Sequence, residues 1–417
     1  MLIEFTVGNF LSFKEKRTFS MEAASIKENE NNVFEINGYS LLKGGAIYGA
    51  NASGKSNLIK AMRAFEKLIM TSPTLKSTDE INVTPFRLSI ESENEPSFFE
   101  MVFLAQGVYY RYGFEVTRTQ VLREWLFHNP KSERMLFIRE GDDIDTDKSM
   151  KEFELLKKRT KSNTFFLSVL DSFNADHART ITMYFNMSFE ATLAVGDFYR
   201  EFSIIALSGK VKGNTVLEFF KRLNLGFDSF RKDPNAPEHE SRNPEKLISG
   251  SSAVPILTRH PVYNDDGEFV KFTEFDLDTN ESTGSKKIME ILGPIAQVLA
   301  TGGFFAMDEM DANLHPILTQ RIIELFHSPK TNPKNAQLVL STHDTNLLAY
   351  ANYRRDQIWF TEKDQFGSTD LYSLAEFKLS DGKKVRNDAS FEGQYLEGRY
   401  GAIPFIGSIE SILENGQ

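Results

Sequence analysis

The stretch Gly49-Ala50-Asn51-Ala52-Ser53-Gly54-Lys55-Ser56 decides the fold of this chain. It fits the pattern G-x(4)-G-K-[ST] in full, a match that average glycine usage gives by chance in about one chain in a hundred of this length. A short apolar segment at 46–48 precedes the pattern, and apolar residues follow it at helical spacing: Leu58, Met62, Phe65 and Ile69. Strand, glycine-bearing loop and helix in this order predict a phosphate-binding site, because backbone N–H groups and the helix N-terminus face the anion. A plain glycine turn before a helix is the alternative.

Each residue type in this loop has a chemical reason to be there. Glycines let the backbone close around phosphates, so that several N–H groups point at one anion. Lys55 is expected to reach the β- and γ-phosphates of a nucleotide, and Ser56 to bind Mg²⁺ through its hydroxyl. The residues predicted to contact the nucleotide are Gly49, Asn51, Ala52, Ser53, Gly54, Lys55, Ser56 and Asn57.

A second chemical signal lies far downstream. The run Gly303-Phe304-Phe305-Ala306-Met307 is apolar and ends in Asp308 and Glu309, as expected of a buried parallel strand that ends in two carboxylates. We predict that Asp308 joins the magnesium shell and that Glu309 polarises a water molecule. Apolar strands often end at acidic residues, so this Walker B pattern alone is weak evidence. Together with the phosphate loop it indicates a nucleotide-binding site.

Two further segments flank the Walker B strand. Before it, Ser282-Thr283-Gly284-Ser285 opens a helix-like run, and serine and glycine at a helix start present a hydroxyl and N–H groups to an anion. After it come Asp311-Ala312-Asn313-Leu314-His315 and then an apolar strand, Gln337–Ser341, that delivers Thr342-His343-Asp344. Taken singly, the first segment is an N-cap and His343 a structural histidine. Their order around one Walker B strand favours a shared site.

In this arrangement the sequence resembles the ABC ATPases, in which a signature loop, Walker B, D-loop and switch histidine follow one another. Here these would be Ser282–Ser285, Asp308-Glu309, Asp311–His315 and His343. The opening Asn9-Phe10-Leu11-Ser12-Phe13 is similar to the NFxSF element of the SMC, RecF and OLD-nuclease branch. The signature loop departs from LSGGQ, with threonine where the first glycine stands.

The resemblance implies an α/β fold, with a phosphate-loop core, an antiparallel β-subdomain and a mainly helical insertion. It also implies ATP with Mg²⁺ as the ligand. The preference for adenine over guanine rests on this resemblance alone, because the sequence contains no motif that recognises the base. One chain holds one phosphate loop and one signature loop, and in ABC ATPases these meet only between subunits. An ATP-dependent homodimer or larger homo-oligomer is therefore expected.

The same resemblance implies roles for individual residues. Ser282, Gly284 and Ser285 of one copy would close over the γ-phosphate bound at Lys55 of another copy. Glu309 would be the base for hydrolysis. The remaining nucleotide contacts implied by the family are His343, which would read the γ-phosphate, together with Asn9 and Ser12.

The N-terminal half of the ATPase domain is expected at residues 1–140, with the phosphate loop and a β-meander. Ile3, Phe5 and Val7 alternate as one face of a first strand. Gln106-Gly107 is predicted to turn a hairpin between two strands of the meander. The C-terminal half is expected at residues 254–417, where a hairpin turning at 265–267 leads into alternating strands and helices.

Residues 141–253 are expected to form the insertion between these halves. The acidic stretch from Asp142 to Asp147 is predicted to be a solvated loop, and helical spacing follows it to about Phe230. The segment from Arg231 to Ser252 is rich in Pro, Asn, Glu and Ser and is predicted to be a mobile loop. No Q-loop glutamine is assigned, because Gln106 lies in a predicted turn.

The chain differs from SMC proteins and from OLD nucleases in one feature each, and these differences indicate which branch of the family it resembles most. SMC proteins insert a long coiled coil between the halves, whereas this chain has a compact insertion without heptads. OLD nucleases append a nuclease domain, and the residues after His343 are too few for one. The chain is most similar to the stand-alone ATPases of bacterial phage-defence and abortive-infection operons, including PARIS-like systems, whose usual ending resembles Tyr395–Pro404. Members of that group work with a separately encoded effector, a nuclease or toxin.

Charge and composition limit the kinds of ligand and partner that we expect for this chain. The net charge is −10, from 48 basic and 58 acidic residues, which weakens the case for nucleic acid as the main ligand. The run Lys157-Lys158-Arg159-Thr160-Lys161 is a solvated helix face or, alternatively, a nucleic-acid patch. The absence of cysteine excludes disulfides and thiolate metal sites. Without a signal peptide or an apolar window of about 20 residues, we expect a cytoplasmic protein that does not contact the membrane.

Three functions are consistent with these observations. The first is an ATP-gated sensor or scaffold that controls a separate effector in anti-phage defence. The alternative is a RecF- or SMC-like ATPase that binds DNA in repair, which requires a local basic groove across the dimer. A housekeeping ATPase without a partner is the third, since the fold alone does not fix the function.

Overall fold

The computed structural model describes residues 1–129, 132–148, 151–193, 225–234, 255–379, 382–387 and 389–403, together with 200, 203, 204, 218, 219, 222 and 223. Its strands are β1 (Leu2–Gly8), β2 (Arg17–Ser20), β3 (Val33–Ile36), β4 (Tyr39–Leu42), β5 (Gly44–Tyr48), β6 (Ser97–Ala105), β7 (Val108–Val116), β8 (Val121–His128), β9 (Arg134–Glu140), β10 (Asp143–Thr146), β11 (Phe189–Thr192), β12 (Ser229–Lys232), β13 (Ile256–Tyr263), β14 (Phe269–Asp276), β15 (Phe304–Met307), β16 (Gln337–Ser341), β17 (Ile358–Lys363) and β18 (Thr369–Ser373). Its α-helices are α1 (Lys55–Thr71), α2 (Lys151–Lys157), α3 (Phe166–Ser172), α4 (Asp176–Ser188), α5 (Leu277–Asn280), α6 (Thr283–Thr301), α7 (Pro316–His327), α8 (Asn346–Tyr350) and α9 (Phe391–Leu396).

A six-stranded sheet with the order β11-β15-β16-β5-β17-β18 carries the segments singled out in the sequence. The strands β11, β15, β16, β5 and β17 are parallel, and β18 is an antiparallel edge strand. Every residue of β5, β15 and β16 is buried, which explains their continuous apolar sequence. The carboxyl ends of parallel strands share one edge of the sheet, so the phosphate loop, Asp308 and His343 all follow strands at that edge.

A seven-stranded antiparallel sheet, β10-β9-β8-β7-β6-β1-β2, forms the second layer. The predicted hairpin at Gln106-Gly107 is confirmed, and both residues have positive φ (49° and 77°), as a tight hairpin turn requires. The hairpin predicted at 265–267 is also confirmed, between β13 and β14. With a parallel core sheet and an antiparallel sheet beside it, the expected α/β architecture is confirmed.

The first strand differs from the prediction at one residue. The register of β1 against β6 shifts between Leu2 and Glu4. Phe5 and Val7 lie in the main core with Leu2, whereas Ile3 packs into a separate cluster on the other face. The expectation that Ile3 shares a face with Phe5 and Val7 was therefore wrong, because a bulge breaks the two-residue alternation.

The acidic stretch from Asp142 to Asp147 is not a solvated loop. Residues 143–146 form β10, which pairs with β9 and buries Ile144 and Thr146 while Asp143 and Asp145 stay exposed. The two aspartates are the solvent face of a strand with a two-residue period. Their charge concealed that period in the sequence.

The segment 141–253 contributes to both large sheets. β10 belongs to the antiparallel sheet, and β11 pairs in parallel with the Walker B strand β15. Between them lie the helices α2, α3 and α4. β12 joins β13 and β14 in a three-stranded sheet, so Arg231 and Lys232 of the predicted mobile loop lie in a strand. Residues 235–252 of that loop lie outside the described part of the chain.

Helix α1 lies between the two large sheets. The four apolar residues predicted to form one face, Leu58, Met62, Phe65 and Ile69, are all buried. The Phe65 ring packs against Phe5 and Phe114 of the antiparallel sheet at centroid distances of 5.8 and 5.2 Å. The same hydrophobic core includes residues of β15 and β16. The helix that follows the phosphate loop is thus held by both layers. No helix among the described residues is both long enough and apolar enough to cross a bilayer.

Candidate nucleotide-binding site

The phosphate loop joins β5 to α1, and two threonines of the neighbouring strands pack against it. A Cβ at Gly49 would lie 2.5 Å from the Thr361 carbonyl oxygen, and a Cβ at Gly54 would lie 2.4 Å from Thr369 Oγ1. Gly54 also has φ +122°, which L side chains rarely adopt. The Ser53 hydroxyl lies 2.6 Å from Thr361 Oγ1. The loop therefore requires glycine because β17 and β18 approach it closely.

Lys55 is buried inside this loop, with 5% of its surface exposed. Its ammonium donates to the carbonyl oxygens of Gly49 (2.7 Å) and Ala50 (3.0 Å). Burial lowers the pKa of Lys55, and the carboxylates of the Walker B and D-loop segments oppose this by favouring the charged form. The cation is thus held inside the loop, with two backbone carbonyl oxygens as its partners.

One cleft of about 450 Å³ collects most of the predicted site. Glu309 and His343, which follow different strands, both line it and are both exposed. Lys60 and Lys363 also line it, and the sequence did not indicate either of them. The predicted phosphate-loop residues in its wall are Asn51, Ala52, Ser53, Gly54, Lys55, Ser56 and Asn57.

A serine of the next strand contacts both Walker B residues. Asp308 is buried, and its Oδ1 accepts a hydrogen bond from the Ser341 hydroxyl. The same hydroxyl oxygen accepts from the Glu309 backbone N–H at 2.9 Å. Glu309, which follows β15, has a positive φ of 45°, a backbone conformation that is uncommon outside glycine. Ser341 was missed in the sequence, where the only sign is a polar residue closing an apolar strand.

The signature loop forms the start of helix α6. Ser282 is the N-cap: its hydroxyl oxygen accepts from the Ser285 N–H at 3.1 Å, which confirms the capping interpretation. A Cβ at Gly284 would lie 3.0 Å from the Asn313 carbonyl oxygen, so the signature loop packs on the D-loop of its own chain. Ser282, Gly284 and Ser285 are not among the residues that line the described cleft.

The NFxSF element has a structural role that the resemblance did not suggest. The Asn9 amide nitrogen donates to the carbonyl oxygens of Ser92 and Glu95, both at 2.8 Å, and its oxygen accepts from the Phe86 N–H at 3.0 Å. Asn9 therefore fixes the 86–95 segment, and its amide has no donor left for a nucleotide. This corrects the expectation that Asn9 contacts ATP.

Ser12 contacts residues that hold the phosphate loop in place. Its hydroxyl oxygen accepts from the Asn57 amide and lies 2.7 Å from Thr369 Oγ1, which is also 2.9 Å from the Ser53 carbonyl oxygen. Ser12 is buried. Its contacts join the start of α1 to β18, so the structure favours a supporting role over the expected direct contact with ATP.

The basic run at 157–161 is partly used within the fold. Lys157 pairs with Glu154 at 2.6 Å, and the Lys161 ammonium donates to the Leu75 carbonyl oxygen. Arg159 stacks over the Phe173 ring at 5.3 Å. The run contributes no residue to the cleft lining. These contacts are typical of a solvated helix end and do not favour a nucleic-acid patch.

Comparison with known proteins shows which family this chain matches. A family model described as "AAA domain, putative AbiEii toxin, Type IV TA system" matches residues 46–349, from the phosphate-loop strand through His343. No curated protein matches the chain.

Solved structures similar to this chain include SMC head domains. That of Thermotoga maritima is 14% identical, with 89% of this chain and 98% of that chain covered and a TM-score of 0.39. An Smc head from Pyrococcus furiosus, bound to the C-terminal domain of ScpA, is 14% identical, with 89% and 96% covered and a TM-score of 0.39. One from Pyrococcus yayanosii is 12% identical, with 89% and 97% covered and a TM-score of 0.41.

The family match spans more than half of the chain and contains every motif from the phosphate loop to the switch histidine. The chain therefore belongs to the family described as "AAA domain, putative AbiEii toxin, Type IV TA system".

Proposed function

We propose that this chain binds ATP with Mg²⁺ and hydrolyses it to ADP and phosphate. The observation that supports this is the gathering of Lys55, Ser56, Glu309 and His343 around one cleft from three separate strand ends. Backbone N–H groups of the loop and the Lys55 ammonium would hold the β- and γ-phosphates. The catalytic residues proposed are Lys55, Glu309 and His343.

The protein groups proposed to hold Mg²⁺ are the Ser56 hydroxyl, directly, and the Asp308 carboxylate, through a water molecule. Both offer hard oxygen atoms, and magnesium at a nucleotide takes one or two such protein groups besides phosphate and water. The bond from Ser341 fixes the orientation of the Asp308 carboxylate. Bound Mg²⁺ would neutralise phosphate charge. Glu309 would accept the proton of the attacking water, and His343 would contact the γ-phosphate.

We further propose that the active site is completed in trans. Ser282 caps α6: its hydroxyl oxygen accepts from the Ser285 N–H and lies 3.0 Å from the Ser285 hydroxyl. The N–H groups of Thr283 and Gly284 at the start of the helix stay available to an anion. Thr283, the first residue of that helix, is exposed. Since these groups lie outside the cleft of their own chain, the γ-phosphate of a second copy is the anion that they would meet. ATP would then hold two copies together.

In this proposal the dimer acts in the cytoplasm as a sensor or scaffold for a separately encoded effector, a nuclease or toxin, in anti-phage defence. The family description, which names an abortive-infection toxin, supports that setting. The structural role of the 157–161 run gives no support to the DNA-repair alternative. Binding of nucleic acid is one of the outcomes that the co-purification experiment below can give.

Turnover is tested by phosphate release from MgATP. The wild type should hydrolyse ATP, and Glu309→Gln should bind ATP and lose turnover by about a hundredfold or more. The exposed Glu93, in a short helical turn away from the cleft, gives the matched control Glu93→Gln, which should keep the wild-type rate. Unchanged turnover in Glu309→Gln would contradict its role as the base.

The effector is tested by tagging Glu309→Gln and expressing it with its native neighbouring genes. A stoichiometric protein that co-purifies with ATP present, and is lost in Lys55→Ala, would support the gated scaffold. Stoichiometric nuclease-sensitive DNA without a protein partner would support the DNA-repair alternative instead.

A further inference from the structure

The residue that precedes the signature loop is anchored to a neighbouring strand. Glu281 directly precedes Ser282, the cap of α6, and only 9% of the Glu281 side chain is exposed. Its Oε1 accepts a hydrogen bond from the Thr258 hydroxyl at 2.6 Å and lies 2.7 Å from Nε2 of His260. One carboxylate oxygen thus joins the start of the signature loop to two side chains of β13.

Both contacts are hydrogen bonds to a charged acceptor. A carboxylate oxygen only accepts, so Nε2 of His260 carries the proton that it donates to Glu281. Thr258 Oγ1 also lies 3.2 Å from the Phe275 carbonyl oxygen, but the contact with Glu281 is shorter. Because hydrogen bonds to an ionised group are the stronger ones, the carboxylate is the favoured acceptor for the single hydroxyl proton.

The two donors lie in a well-packed part of the β13–β14 hairpin. Thr258 is fully buried and stands opposite Phe275 of β14 in the ladder. The His260 ring packs against the Phe275 ring at a centroid distance of 4.6 Å. The hairpin is therefore a fixed support, against which the side chain of Glu281 is held.

The link that carries Glu281 is short. α5 ends at Asn280 and α6 begins at Thr283, so only Glu281 and Ser282 connect them, and both have an extended backbone. The position of the Glu281 side chain therefore determines where α6 starts. It also determines where the N–H groups of Thr283 and Gly284, the proposed contacts with a γ-phosphate, lie relative to the hairpin.

We propose that Glu281 is a positioning residue for the ATP-bound dimer, which holds the signature loop where its N–H groups meet the γ-phosphate of a second copy. The role rests on the proposed completion of the site in trans, and it adds the hairpin as the support of the loop. Glu281 touches no nucleotide in this role. Its loss should weaken the contact between copies and leave each phosphate loop's hold on its own nucleotide unchanged.

Glu281→Ala removes the anchor and is tested in the Glu309→Gln background. A hydrogen bond to a charged group changes an equilibrium constant by about tenfold or more, so the dissociation constant of the MgATP-bound dimer should rise by about tenfold or more. Sedimentation at a series of protein concentrations measures it. The Kd for ADP should stay within about twofold, because ADP lacks the γ-phosphate that the signature loop would meet. Glu281→Gln keeps the side-chain length and an acceptor oxygen, so it should restore most of the dimer affinity.

The matched control is Glu274→Ala. Glu274 lies on the same hairpin and pairs with a cation, but this cation is Arg231 of β12, at 2.7 and 2.8 Å. The control should keep the dimer dissociation constant of Glu309→Gln. A milder variant, Thr258→Val, removes one donor and should weaken the dimer less than Glu281→Ala does. Combined with Glu281→Ala it should weaken the dimer no further, because the two residues share one hydrogen bond.

Three results would overturn the proposal. They are an unchanged dimer in Glu281→Ala/Glu309→Gln, an equal loss in Glu274→Ala/Glu309→Gln, and a loss of ADP binding that parallels the loss of the dimer. A Glu309→Gln protein that binds ATP and stays monomeric would instead overturn the proposed completion in trans, and this role with it.

Discussion

The hydroxyl of Ser341 donates to the buried carboxylate of Asp308, and so ties the end of one parallel strand to the end of the next. The same oxygen accepts the Glu309 N–H, so one serine orients both residues of the Walker B pair. A buried carboxylate that loses such a partner keeps its desolvation cost without compensation. Supporting contacts of this kind tune metal affinity as well as position.

Ser341→Ala should therefore weaken the apparent affinity for Mg²⁺ in ATP turnover by about tenfold or more. The protein should remain folded, because the alanine fits within the space of the serine. The measurement is the ATPase rate across a Mg²⁺ titration. Ser373→Ala is the control, since Ser373 is also a buried serine at the end of a strand, but its hydroxyl oxygen accepts from the Glu376 N–H at 3.3 Å in the turn that follows. Equal Mg²⁺ dependence in both variants would contradict the assigned role.

Gly54→Ala should abolish ATP binding, because the new methyl group would meet the Thr369 side chain at 2.4 Å in a backbone conformation with φ +122°. The control is Gly107→Ala, where φ is +77° and no atom lies within 4 Å of the added Cβ. That variant should cost only about 1 kcal/mol of folding stability and keep the Kd for ATP. Binding of a fluorescent ATP analogue separates the two. Wild-type affinity in Gly54→Ala would contradict the close packing of the loop.

Asn9→Ala should destabilise the protein without weakening ATP binding. Its buried amide makes three hydrogen bonds to the 86–95 backbone, and losing them should lower the free energy of unfolding by about 2–3 kcal/mol. The control is Asn37→Ala, whose exposed amide makes one bond to the Gly107 carbonyl oxygen and should cost less than about 1 kcal/mol. Chemical denaturation and ATP titration decide the matter. A weaker Kd at unchanged stability would restore the family-derived contact.

Glu66 should make the stability depend on pH. Burial, and next the charge of Glu190, raise the pKa of Glu66 from 4.5 to about 7. The folded state then binds the proton more tightly than the unfolded state, so stability is full below pH 4.5 and falls as the pH rises toward 7. The loss is at most about 3 kcal/mol.

Glu66→Gln should remove this dependence and melt at a higher temperature than the wild type at pH 8, but at a similar temperature at pH 4.5. Thermal unfolding at both pH values gives the comparison, with the exposed Glu93→Gln as the control. A wild type and a Glu66→Gln variant that lose the same stability between these pH values would contradict the raised pKa.

Local patterns predicted the parts of the site that follow strands. The phosphate loop, the Walker B carboxylates and His343 each stand next to a short apolar run, and parallel strands bring their carboxyl ends to one edge. Other parts of the chain also contribute residues to the site, and tertiary packing determines which residues these are. Lys60 and Lys363 are exposed lysines with no distinguishing pattern, and Ser341 is an ordinary serine until its strand is placed beside Asp308.

The errors arose where a short motif was interpreted without its neighbours. Asn9 belongs to a motif associated with nucleotide, but its amide is taken by the 86–95 segment, which is distant in sequence. Ile3 obeys the strand alternation until a bulge moves it. β11 has too few residues to be recognised as a core strand, and only its pairing with β15 gives it that role.

The central claim is that the γ-phosphate bound by one copy meets the signature loop of another. Three variants separate its parts. Glu309→Gln should accumulate the ATP-bound state. Lys55→Ala should lose ATP binding. Thr283→Glu, added to Glu309→Gln, should keep ATP binding and helix α6, because an acid suits the first turn of a helix, but its charge would repel the γ-phosphate of the partner copy.

The most direct measurement is the mass of Glu309→Gln in solution by sedimentation, with and without saturating MgATP. We predict twice the monomer mass with ATP and a lower mass without it. The dimer should be lost in both Lys55→Ala/Glu309→Gln and Thr283→Glu/Glu309→Gln, although the latter still binds ATP. A Glu309→Gln protein that binds ATP and stays strictly monomeric would contradict the claim.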